Sequence, residues 1–146
     1  MLMENLSLPQ LKKKMKIMKI NITAGDCLNN ILTNIYKDEE FIPFREAMIV
    51  GTYSNKLFSE EFLLERSKTH KVCLKEYKES ISCFINILEN INSYDEIVLW
   101  FGDEPFCVEN TNVVIKAIKE NNYKNKLILN IVNEITGEVL KQSKIQ

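Results

Sequence analysis

Five consecutive apolar residues, Ile97-Val98-Leu99-Trp100-Phe101, run without interruption into Gly102-Asp103. A run this short is no helix, and it lacks the alternation of a strand with one wet face. It is predicted to be a strand buried on both sides, as in a parallel sheet covered by helices. A chain of 146 residues fits a single core around such a strand.

The rest of the pattern agrees with that frame. Ile17, Ile20 and Ile22 make a first β-branched strand between Lys16 and Thr23, stopped by Ala24-Gly25. Asp26 stands where a helix N-cap belongs, and Leu28, Ile31, Leu32 and Ile35 follow at helical spacing up to Tyr36. Phe41, Ile42 and Phe44 form a short second strand around Pro43. From Ser59 to about Asn92 the chain reads as a helical region, with Tyr77, Ile81, Phe84 and Leu88 on its apolar face. The central strand spans Tyr94 to Gly102, a helix runs from Val108 to Ile118, and Leu127 to Val132 form a further strand. The segment Asn133 to Leu140, with Thr136-Gly137 between Ile135 and Val139, predicts a C-terminal hairpin or edge strand.

Alternating strands and helices imply a three-layer α/β domain, Rossmann-like, with a mostly parallel sheet and helices on both faces. Residues 1–15, which mix leucines with a lysine run, read as an N-terminal extension, and residues 16–146 as the single domain. No internal repeat is evident.

Three polar turns then fall at equivalent places: Gly25-Asp26, Arg45-Glu46 and Gly102-Asp103-Glu104, each following a predicted strand. In an open parallel sheet those carboxyl ends share one edge, and ligands bind there where the strand order reverses. Arg45 is one of two arginines in the chain, and its planar fork suits a carboxylate or phosphate. Asp26 and Glu46 are candidate acceptors and candidate catalytic acids or bases, Trp100 a ring platform, and Asn110 an amide donor. Each also has a purely structural reading. Asp26 could cap its helix, Arg45 could pair with Glu46, Asp103 or Asp26, and Trp100 could be core. Asn110 and Asn112 could be solvated, and His70 an exposed bystander.

Composition narrows the function classes. A formal charge of -1 offers no global field for nucleic acid, and none is expected as a partner. There is no apolar run of about 18 residues to span a membrane, and no secretory leader pattern. A cytoplasmic protein is expected, its four cysteines reduced and serving as small core filler. No C-x-x-C pair is present, so zinc is not predicted; a metal site, if any, would be Mg²⁺ on Asp26, Asp103 and Glu104. The G-x-G-x-x-G, P-loop and G-x-S-x-G motifs are all missing.

The segments Ile22-Thr23-Ala24-Gly25-Asp26-Cys27-Leu28, Phe44-Arg45-Glu46-Ala47-Met48-Ile49-Val50-Gly51 and Ile97 to Cys107 resemble, in order and spacing, a bacterial family of uncharacterised proteins, domain of unknown function 1835. The resemblance covers roughly Lys16 to Leu129. Thr52 follows Gly51 where relatives often carry proline, and Glu109-Asn110 stands near a position often held by glutamine. The resemblance implies that Asp26, Arg45, Glu46 and Trp100 share one site, and it implies no particular activity.

The leading expectation is a domain that binds a small anionic or nucleotide-like ligand at the strand ends, through Gly25, Asp26, Arg45, Glu46, Trp100, Asp103 and Asn110. Two alternatives stand beside it: a metal-assisted hydrolase or phosphoryl-transfer enzyme built on the carboxylates, and a non-catalytic interaction or regulatory protein. Whether the chain is an enzyme, and its oligomeric state, are left open by the sequence.

Overall fold

The computed structural model describes residues 17–146; the expected extension, residues 1–15, lies outside the described residues. Strands β1 (Lys19–Thr23), β2 (Phe41–Pro43), β3 (Glu96–Phe101), β4 (Lys126–Val132) and β5 (Val139–Ile145) form one sheet in the order β2-β1-β3-β4-β5. The first three pairings are parallel and β4 with β5 is antiparallel, giving the α/β, mostly parallel sheet that the sequence predicts. Helices α1 (Asp26–Ile35), α2 (Glu60–Thr69), α3 (Leu74–Glu89) and α4 (Pro105–Glu120) connect the strands.

Successive residues of β3 divide between two apolar clusters, as side chains alternating across a sheet must. Ile97, Leu99 and Phe101 join the larger cluster with Ile81, Phe84 and Val114 of α3 and α4. Val98 and Trp100 join the smaller one with Leu28 and Leu32 of α1. The unbroken apolar run of β3 therefore reflects burial on both sides. β2, by contrast, is a three-residue edge strand, and a proline is tolerated in such an edge position.

Four local expectations are corrected. Gly25, not Asp26, is the N-cap of α1; Asp26 is the first helical residue and turns its carboxylate to Arg45 instead of to its own helix amides. The single helical region between Ser59 and Asn92 is two helices, broken where Lys71 adopts a φ of 56° and Cys73 caps α3. α4 starts at Pro105, three residues before Val108, because proline suits a first helical position that needs no amide. Finally, the terminal strand continues to Ile145, past the predicted Leu140, with Gly137 taking the positive φ of the turn at 79°.

Candidate functional site at the carboxyl ends of the strands

Strand register sets the level of the site. Thr23 stands opposite both Pro43 and Trp100, so β1, β2 and β3 end together. β1 is followed by a connection to one neighbour and β3 by one to the other, which places the reversal of strand order between them. The turns Gly25-Asp26, Arg45-Glu46 and Gly102-Asp103-Glu104 accordingly share this edge. The buried Thr23 hydroxyl donates to Asn29 Oδ1 at 2.9 Å, which ties the first turn to α1.

Arg45 Nε donates to Asp26 Oδ1 at 3.0 Å, and both side chains are about half exposed, at 47% and 60%. Of the three partners open to Arg45 in the sequence, Asp26 is the one it takes. A pair this exposed holds together weakly and can open to a ligand at small cost. A Cβ on Gly25 would meet nothing within 4 Å, so space is open at the start of α1.

Glu46 lies in a different environment, although it is the next residue. Its carboxylate is wholly buried and accepts from Arg66 Nε and Nη2, both at 2.8 Å, and from Tyr77 Oη at 2.5 Å. The Ala47 amide at 2.8 Å and His70 Nε2 at 2.7 Å complete the set. Burial alone would raise its pKa; the donors, led by Arg66, outweigh burial and hold it at about 2. Burial and the Glu46 carboxylate both push the Tyr77 phenol well above its ordinary value. Arg66, itself fully buried, also donates to the carbonyls of Ala47, Val50 and Thr52.

Asn110 closes the same segment from α4. Its Nδ2 donates to the Glu46 carbonyl and its Oδ1 accepts the Met48 amide, each at 2.8 Å and buried. The hydroxyl of Tyr53 donates to Glu109 farther along. Between β2 and α2 the chain thus carries no regular structure over residues 44–59, yet arginine, asparagine and tyrosine side chains fasten its first half. Phe44 anchors its root, with its ring 4.9 Å from Phe84 and 6.5 Å from Phe101.

The expected site residues therefore separate into two groups. Gly25, Asp26 and Arg45 meet at an accessible edge, and Asp103 and Glu104 are exposed in the β3–α4 turn. Glu46, Trp100 and Asn110 are buried, and their polar atoms are engaged with the protein itself. Trp100, 5% exposed, donates from Nε1 to Asn21 Oδ1 at 2.8 Å and packs against Tyr36 and Phe41, so no ring face is free. His70 is no bystander, since it bonds Glu46 and stacks on Tyr77. Three of the four cysteines are exposed, against the expectation of core filler; only Cys107 is buried, donating to Glu134 Oε2 at 3.1 Å. Burial and that carboxylate push its thiol up to about 12.

Arg66 and Tyr77 were missed by sequence reasoning. A signal existed for the first: Phe62, Arg66 and His70 recur every fourth residue and form one stripe of α2, which carries Arg66 inward with Phe62. Glu134 was also missed; its carboxylate fills the space beside Gly102, where a Cβ would come within 2.6 Å of Oε2.

No group of three or more His, Cys, Asp or Glu side chains placed to hold a metal ion occurs among the described residues, so Asp26, Asp103 and Glu104 do not assemble into the Mg²⁺ site considered for them. A cavity of about 660 Å³ lies at the opposite edge, between Lys19, Asn21, Glu39 and Glu96. No helix is long and apolar enough to cross a membrane among the described residues.

Fold and site together define an α/β domain whose exposed arginine pairs with Asp26 at the carboxyl edge of the strands, next in sequence to a buried charge cluster. Comparison with protein-family models, with curated proteins and with solved structures found no match to this chain.

Proposed function

We propose that this chain is a Rossmann-like, cytoplasmic domain that binds a small anionic or nucleotide-like ligand at the carboxyl ends of its strands. Arg45 takes the anionic group, and Asp26 accepts a hydroxyl or amine of the same ligand once their mutual ion pair opens. The observation that carries this reading is the contrast between neighbours: an exposed Arg45 on a segment that the buried Glu46–Arg66 pair and Asn110 hold in one shape. Burying charges is costly, and a connection serving only to link β2 to α2 has no need of it. Holding a recognition group still before the ligand arrives lowers the ordering cost of binding. The free state of all four cysteines accords with a reducing compartment.

The hydrolase alternative is supported less, because Glu46, its proposed base, has both oxygens occupied by Arg66, Tyr77, Ala47 and His70. The sealed cluster itself favours a second reading, an interaction module in which the polar residues only lock loops.

A thermal-shift screen against inorganic phosphate, nucleotides, sugar phosphates and amino acids separates the two. Binding to the folded state raises the midpoint by a few degrees at saturation. Asp26→Ala and Arg45→Ala are expected to change stability by no more than about 0.5 kcal/mol, as for exposed pairs, and to abolish the shift. A ligand shift that survives both substitutions, or no shift with any probe, would overturn the proposal.

A further inference from the structure

We propose that two copies of this chain pair through β5 into a two-fold dimer with one continuous sheet. The two edges of the sheet are unlike. On one side β2 is three residues long and ends in Pro43, a short and poorly bonding edge of the kind that resists pairing. On the other, β5 is seven residues long and among the described residues bonds only to β4, so its outer amides and carbonyls stand ready for another strand.

The sequence of β5, Val-Leu-Lys-Gln-Ser-Lys-Ile, says which strand fits. Antiparallel pairing with itself about Gln142 sets Val139 against Ile145 of the second copy, Leu140 against Lys144, and Lys141 against Ser143. Apolar ends meet apolar ends, each lysine faces an uncharged residue, and Gln142, whose Nε2 donates to Asn130 Oδ1 at 2.8 Å, stands opposite its counterpart on the axis. Moving the axis to Lys141 or Lys144 sets lysine against lysine, which is destabilising across a strand pair. The edge lysines therefore rule out those two registers, and of the remaining ones the Gln142 axis pairs all seven residues of β5 and keeps its apolar ends together, whereas axes at Leu140 or Ser143 pair fewer and set Val139 or Ile145 against Lys141. Leu140, 54% exposed, faces Lys144 of the second copy in this register, whose aliphatic stem covers it in the dimer.

The test is the mass of the full chain by sedimentation velocity over a concentration series. A dimer that dissociates on dilution is expected. Ser143→Lys, which places lysine against Lys141 of the second copy, is expected to give a monomer with an unchanged far-ultraviolet circular dichroism spectrum. Adding Lys141→Glu to it, so that glutamate faces the new lysine, is expected to restore the dimer. Should Ser143→Lys fail to fold, Gln142→Lys sets like charges on the axis and is expected to give the monomer. A wild-type chain that is monomeric throughout, or a dimer that the folded lysine variant leaves intact, would overturn the proposal.

Discussion

Arg66→Met is expected to destabilise the protein by about 3 to 5 kcal/mol, the range for removing one partner of a buried ion pair. The substitution leaves the Glu46 carboxylate, which has no exposed surface, without its bidentate partner. It also strips the donor from the carbonyls of Ala47, Val50 and Thr52, three points at which the segment after β2 is held. Urea unfolding measures the loss. Glu46→Gln added to Arg66→Met removes the stranded charge, so the double variant is expected to be more stable than Arg66→Met alone, a coupling that a double-mutant cycle reads directly. A cost under about 1 kcal/mol for Arg66→Met would mean that the cluster does not hold the segment.

The second large effect is acid sensitivity. The Glu46 carboxyl is held at about 2 in the folded protein, against 4.5 for the free group. A carboxyl depressed on folding adds stability that is fully present above its unfolded pKa and is lost as pH falls through the folded one. The window is therefore pH 4.5 down to about 2. The difference corresponds to on the order of 3 kcal/mol for a buried group. Unfolding free energy measured across that window is expected to fall steeply in the wild type and with a shallower slope in Glu46→Gln. On the alkaline side the sign reverses: Tyr77 is raised on folding, so its contribution is lost as pH climbs past 10, the ordinary value for a phenol, and Tyr77→Phe is expected to remove that loss. Equal acid slopes in wild type and Glu46→Gln would contradict the assignment.

Much of the architecture was legible because burial on two faces leaves a mark in sequence. Ile97 to Phe101 and Leu127 to Val132 are dense in apolar residues where β3 and β4 are covered. β5 carries no such mark, being an exposed edge of lysine, glutamine and serine, and its extent beyond Leu140 was not visible. The break between α2 and α3 was equally silent, since Lys71 adopts a positive φ without a glycine or proline to announce it. At the site, spacing placed Asp26 and Arg45 at one edge, and they do touch. The role of Glu46 could not be read from its neighbours in sequence, because its partners lie 20 to 31 positions away on α2 and α3. For Arg66 alone the spacing holds an unused signal, since it follows Phe62 on one helical stripe and a buried arginine demands a carboxylate.

Underneath these effects lies one claim, that the segment presenting Arg45 is rigid because Glu46, Arg66 and Asn110 fasten it. Native-state hydrogen exchange at the Ala47 and Met48 amides tests this most directly, since the first is bonded to Glu46 and the second to Asn110. Both amides are expected to be protected nearly as well as those of β1, opening only with large-scale unfolding, and to lose that protection in Arg66→Met. Exchange in the wild type at the rate of an unstructured loop would contradict the account.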